Sequence, residues 1–188
     1  MVPKGLAPIL NHETLWKTPD RNSCFLWAGE TSLLIYGSPP LELWKFNIDN
    51  LGGGTWSPAP SNDTLFPHLL RQSTGCGVAN GDTGLYTGGY TSGKTDFATS
   101  GQANIGREGI VSLNMTSGAW SNDSTIGLDE YGMIQSCVAV TLPAIGLDRS
   151  LIIILGGTSK IHPSIHRYIV NSLLRLGSTF MGKPNSSQ

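Results

Sequence analysis

Charge is what this chain has least of. Asp, Glu, Lys and Arg together make up 13% of its 188 residues, about half the share found in an ordinary soluble domain. Twelve basic residues against thirteen acidic ones leave a net charge of −1, and the basic residues are scattered. Recognition of DNA or RNA through phosphates needs a clustered basic face, so the sequence argues against nucleic acid as a partner. Long apolar runs are missing too. The longest, Leu151 to Leu155, is far short of the roughly 20 residues that cross a bilayer as a helix. The first ten residues are broken by Pro3, Lys4 and Pro8 and do not read as a secretory leader. Cysteine is scarce: Cys24, Cys76 and Cys137 contain no Cys-x-x-Cys pair, so neither a zinc site nor a complete disulfide framework is written here. Each lies on or beside an apolar segment and reads as a small buried hydrophobe. One disulfide with one spare thiol is the alternative, and the sequence does not choose the pair.

What the chain has in quantity is glycine, 24 residues, with 11 prolines, a balance typical of turn-rich β proteins. Three times a short apolar run ends in a small-residue pair. Phe25-Leu26-Trp27 runs into Ala28-Gly29, Leu85-Tyr86-Thr87 into Gly88-Gly89, and Leu151 to Leu155 into Gly156-Gly157. The pairs are 60 and then 68 residues apart, and Trp56 and Trp120 repeat the beat at 64. After each of the first two pairs a segment alternates faces at period two, Leu43 to Ile48 and Ile110 to Asn114, then a glycine turn leads to the tryptophan. That alternation is the mark of a half-buried strand, and recurrence at this period makes the unit of structure a repeat.

These residues resemble Kelch repeats. The resemblance implies an all-β fold, a fragment of a β-propeller whose blades are four-stranded antiparallel sheets set about a channel. On that reading residues 1–21 are a lead-in strand or the remnant of a preceding blade, with Trp16 on a strand entering the first blade. Repeats then occupy 22–60 and 61–122, a partial repeat 123–160, and an atypical tail 161–188. Trp56 and Trp120 share one phase, so both are expected to be largely buried. In the tail, apolar positions 165, 169, 173 and 176 recur at helical spacing between Ser164 and Gly177, which predicts a short C-terminal helix. Closed propellers use about four to eight blades. About three are expected here, an unclosed array whose open edges could self-associate.

Several motifs compete with the repeat. Gly88 to Thr95 spells G-x-x-x-x-G-K-T, the phosphate loop, which needs a helix behind it to aim its positive end at the anion. Asp96 to Gly106 contains two glycines and no amphipathic period, so a nucleotide-binding loop is disfavoured and no nucleotide is expected. Gly75, Gly77 and Gly81 miss the dinucleotide fingerprint by one position. His162 and His166 stand four apart, yet no third ligand is near them. Asn-x-Ser/Thr sequons begin at Asn62, Asn114, Asn122 and Asn185, each in a predicted turn or tail.

The resemblance most often implies a non-catalytic platform that presents loops to a protein or glycan partner, here as part of a larger secreted or cell-surface molecule. The sequons favour that compartment. The polar insertion from Asp96 to Glu108 is longer than a tight turn requires, as ligand-contacting loops often are. The alternative is a galactose-oxidase-like enzyme, whose copper would need Tyr and His ligands with a Tyr cross-linked to Cys. Tyr36, Tyr86, Tyr90, Tyr131, Tyr168 and four histidines are present, but none matches that family's ligand motifs. No catalytic, cofactor or metal residue is assigned.

Overall fold

The computed structural model describes residues 7–31, 41–100, 102, 104–106, 109–123, 135–143, 150–158 and 167–172. Their architecture is all-β, built from antiparallel sheets, none of them closed on itself. The first sheet is a meander of β1 (Thr14–Lys17), β2 (Ser23–Trp27), β3 (Trp44–Ile48) and β4 (Gly54–Pro58). Trp16 therefore lies on the strand that begins this sheet, paired with Phe25 of β2. The second sheet repeats the plan with β5 (Cys76–Asn80) and β6 (Thr83–Thr87). A small hairpin, β7 (Tyr90–Thr91) with β8 (Ile105–Gly106), interrupts it before β9 (Ile110–Asn114) and β10 (Trp120–Asp123). The third sheet holds β11 (Gln135–Pro143), β12 (Ser150–Thr158) and β13 (Arg167–Ser172).

β13 corrects the expectation of a C-terminal helix. Arg167 to Ser172 pairs antiparallel with β12, Leu155 opposite Arg167 and Ser150 opposite Ser172. Tyr168, Ile169 and Val170 are good strand formers. A free edge of β12, with its unpaired backbone groups, outweighs the weak helical periodicity. The rest of the predicted helix, 164–166 and 173–177, lies outside the described residues.

Pairing registers make the repeat quantitative. Trp16 opposite Phe25, Val78 opposite Leu85 and Val140 opposite Ile153 occupy the same place in the three sheets. Trp56 opposite Phe46 matches Trp120 opposite Leu113 in the same way. The sheets stack face to face. One face of the first, with Trp16, Phe25, Trp27 and Leu43, meets Tyr86, Val111, Leu113 and Trp120 of the second in one buried cluster. The rings of Trp27 and Trp120 lie 4.7 Å apart, Trp16 and Trp27 are stacked at 6.2 Å, and Phe66 closes the group 5.3 Å from Trp120. Burying side chains of this class contributes about 1.5–3 kcal/mol each. Gly84 makes the approach feasible, because a Cβ there would fall on the indole of Trp16. Trp16 Nε1 donates to the Leu85 carbonyl at 3.1 Å, so the deepest indole keeps its hydrogen bond.

Between the second and third sheets the filling is aliphatic. Leu85, Ile110, Ile152 and Ile154 pack with Val78 and Ala139 around Cys76 and Cys137. Those two cysteines are joined as a disulfide with Cα atoms 5.3 Å apart, and Cys24 is free. The reading of Cys76 and Cys137 as plain buried thiols is thus corrected. They sit on the first strands of neighbouring sheets, 61 residues apart, close to one repeat.

Candidate functional site

The strand ends that carry the first two small-residue pairs form one polar rim. Ala28, Gly29, Gly88 and Gly89 all have positive φ, at 65°, 100°, 72° and 79°, a backbone that turns the chain sharply away from β2 and β6. Glycine suits such positions because it lacks the Cβ that opposes them. At Gly89 it is also required by space, since a Cβ would strike the Ser73 carbonyl. Beyond each pair the chain makes an equivalent isolated bridge, Asn11 with Glu30 and Ser73 with Tyr90. Each bridge exchanges two backbone hydrogen bonds, of 2.8–2.9 Å and 3.0–3.1 Å respectively. Gly156 and Gly157 fall inside β12 near its end, with Gly156 opposite Cys137.

Side chains then couple the first and second repeats along this rim. The Tyr90 hydroxyl donates to Glu30 Oε2 at 2.8 Å. Thr31 donates to the Lys94 carbonyl through both its N–H, at 3.1 Å, and its Oγ1, at 3.2 Å. Partial burial, and then the carboxylate of Glu30, push the Tyr90 phenol up to about 12. Arg71 is buried beside the rim, where desolvation lowers its pKa while the charges of Asp96 and Glu42 raise it. Asp96 accepts from the Arg71 backbone N–H at 3.3 Å and from Ala98 N at 2.9 Å. Gln72 Oε1 and Thr91 Oγ1 are buried here without a hydrogen-bond partner among the described residues, an expensive state for polar atoms.

The sequence that spells a phosphate loop turns its donors inward. Thr95 N and Asp96 N both donate to the Ser92 carbonyl at 2.9 Å, Lys94 N donates to Ser92 Oγ at 3.2 Å, and Ser92 N donates to Thr95 Oγ1 at 2.8 Å. Behind the loop stands a single turn of 3-10 helix, Phe97–Thr99, capped by Asp96. The Lys94 side chain is exposed on this rim.

A second concavity runs along the flank where the first two sheets meet. It encloses about 500 Å³ between Lys45, Leu43 and Phe25 on one side and Met115 to Trp120 on the other. Asp63 borders it and accepts from the backbone N–H of Trp120 at 2.9 Å and of Leu65 at 2.7 Å. These bonds, that of Trp120 first, hold the Asp63 carboxyl below its ordinary value.

The remaining predicted residues separate cleanly. Trp120 is buried, at 7% exposure. Trp56, at the same register, is only half-buried, packed against Ala7, Leu26 and Trp44, so the expectation that it is largely buried fails. Trp120 is covered by the first sheet, whereas Trp56 lies on that sheet's other face. Asn62 and Asn122 are exposed. Asn114 is committed: its amide donates to Asp82 Oδ2 at 3.0 Å and accepts from Thr116 N and Ser117 N at 3.0 and 2.8 Å. Asn185, His162, His166, Tyr36 and Tyr131 lie outside the described residues. Tyr86 is buried and accepts from Gly75 N–H at 2.9 Å. Among the described residues no group of three or more His, Cys, Asp or Glu could hold a metal ion, and no helix is long and apolar enough to cross a membrane.

Sequence reasoning missed the Glu30–Tyr90 contact. Its signal was present, since the two residues stand two positions beyond Ala28 and Gly88, in the same phase of successive repeats.

No protein-family model matches the chain, and no curated protein does. Among solved structures the chain is similar to that of YjhT, with a TM-score of 0.59 and 13% identity. The match takes in 93% of this chain and 46% of the YjhT chain, so the sequence spans about half of that structure's length. Identity this low speaks to the fold alone.

Proposed function

We propose that the three sheets are successive blades of a Kelch-type β-propeller, and that the array is a non-catalytic platform holding a protein or glycan partner on its polar rim. The observation that carries this reading is the rim itself. Two successive repeats present Glu30 and Tyr90 from the same register, joined at 2.8 Å, beside exposed Lys94. Binding surfaces are commonly built on loops that a rigid scaffold positions. The face-to-face packing of the three sheets supports the blade arrangement. The Cys76–Cys137 disulfide supports a secreted or cell-surface origin, where such bonds persist, and the exposed sequons at Asn62 and Asn122 agree with it.

The test is binding of the labelled chain to an immobilised glycan array and to a panel of extracellular proteins. Tyr90→Ala and Lys94→Glu should each cut binding at least tenfold while leaving the melting temperature within a few degrees. Binding unaffected by both changes sinks the rim as the site. A saturable thermal shift with ATP and Mg²⁺ that disappears in Lys94→Ala would replace the platform with a nucleotide site.

A further inference from the structure

Both ends of the stack leave an apolar sheet face without a neighbouring sheet among the described residues. On the third sheet Val138, Val140, Leu142 and Leu155 are 60%, 37%, 45% and 41% exposed. By register, Val138, Val140, Ile153 and Leu155 occupy the places that Thr14, Trp16, Phe25 and Trp27 hold in the first sheet, where the second sheet covers them. On the first sheet Leu15 is 54% exposed, and Phe46 and Trp56 are half-buried. Their counterparts by register in the second sheet are Gly77, Leu113 and Trp120, of which Leu113 and Trp120 are buried under the first sheet. One end therefore shows the covering half of a sheet–sheet junction, and the other end shows the covered half.

The two halves fit each other in size. At the first junction the large Trp16 meets Gly84, and Thr14 meets Gly77; neither glycine has room for a Cβ. At the second junction Val78 packs in the cluster of Ile152, the counterpart of Gly84. The open faces offer Val140 where Trp16 stood and Cys24 where Gly84 stood, with Val138 for Thr14 and Leu15 for Gly77. Size is redistributed between the two positions: Val140 with Cys24 is smaller than Trp16 with Gly84, and Val138 with Leu15 is larger than Thr14 with Gly77, a repacking that close-packed interfaces tolerate. The segment before β1 does not block this docking. Ala7, packed on Leu26 and Trp44, stands seven residues before Thr14, as Leu69 stands before Cys76, and Leu69 is built into the first junction.

We infer that a second copy of this chain supplies both missing neighbours, the third sheet of each copy seated on the first sheet of the other. This rests on the blade reading above: six blades about a two-fold axis fall within the range of closed propellers, about four to eight. The contact is head to tail in kind, and two copies close it without leaving a free face.

Light scattering should give a particle of twice the 20.0 kDa chain mass. Val138→Glu alone and Leu15→Lys alone should each give monomers with unchanged circular dichroism, since both positions are more than half exposed. Mixing the two variants should restore the dimer, because one junction then sets Glu against Lys and the other is unaltered. A cross-linking test combines Glu13→Cys with Val138→Cys, which places cysteines across the closing junction at the register of Cys137 and Cys76. The double variant should run as a covalent dimer on a non-reducing gel, and neither single variant should. A wild-type chain that stays monomeric at every concentration overturns the closure while leaving the blade reading intact. So does a dimer broken by Val138→Glu and indifferent to Leu15→Lys, which would be tail to tail. Loss of the blade reading has a different signature, namely hydrogen-exchange protection that does not extend across the Trp16–Gly84 junction.

Discussion

Tyr86 and Tyr90 are four residues apart and both are kept as neutral phenols. Tyr86 is held so by burial, which raises its pKa well above the ordinary 10.0; Tyr90 is held by partial burial and by donating to Glu30, which take it to about 12. In the unfolded chain both ionise near pH 10. Below that pH the folded and unfolded chains carry the same phenolic protons, and the associated stability is complete. Above it the unfolded chain sheds protons that the folded chain retains, so stability declines as pH climbs toward the folded pKa. The melting temperature should fall as pH is raised from about 9 to about 12, and Tyr90→Phe should flatten that fall. A profile identical in Tyr90→Phe would show that the Glu30 contact does not persist in solution. At acid pH the sign reverses for Asp63. Its lowered pKa means that its contribution is present above the ordinary carboxylate value and is lost as pH falls through the folded one.

At the level of elements, Trp56 and Trp120 are a controlled comparison, one residue type at one register position on two sheets. Trp120→Ala removes an indole packed on Trp16, Trp27 and Phe66 and should cost about 3–5 kcal/mol. Trp56→Ala removes a half-buried ring 5.1 Å from that of Phe46 and packed against Ala7, Leu26 and Trp44, and its urea midpoint should move less than half as far. Equal shifts would mean that the junction is not what buries Trp120. The beat behind this comparison was legible because glycine pairs and tryptophans are rare enough to show a period, and because β3 and β9 alternate cleanly. β13 was not legible. Residues 165, 169, 173 and 176 follow a helical spacing, while the strand is decided by the free edge of β12, a partner that only the fold supplies. The cysteine pairing was half legible: a spacing of 61 is nearly one repeat and so places two residues on neighbouring sheets, but Cys24 stands at a comparable distance from Cys76. The rim was the least legible part, since its contacts join residues about 60 apart whose side chains, Glu30 and Tyr90, are chemically unlike.

For the whole molecule, stability is divided unevenly between its two junctions. The first is aromatic and dense. The second is aliphatic and carries the Cys76–Cys137 bond, which encloses 61 residues of sequence and on chain-entropy grounds is worth about 4 kcal/mol. Cys137→Ser should therefore loosen the third sheet ahead of the first two, read as early amide exchange in β11 and β12 with β1 and β2 still protected. Simultaneous exchange of all three sheets would show that the aliphatic packing suffices without the bond. The same bond has a consequence for cleavage. The rim insertion between Ser92 and Gly109 lies inside the loop it closes, so a protease that nicks the exposed Phe97 or Ala98 severs the backbone without releasing either fragment. On a denaturing gel such a molecule would migrate as one species until a reductant is added and then separate into an N-terminal and a C-terminal piece, the rim cut open while the stack that carries it stays covalently whole.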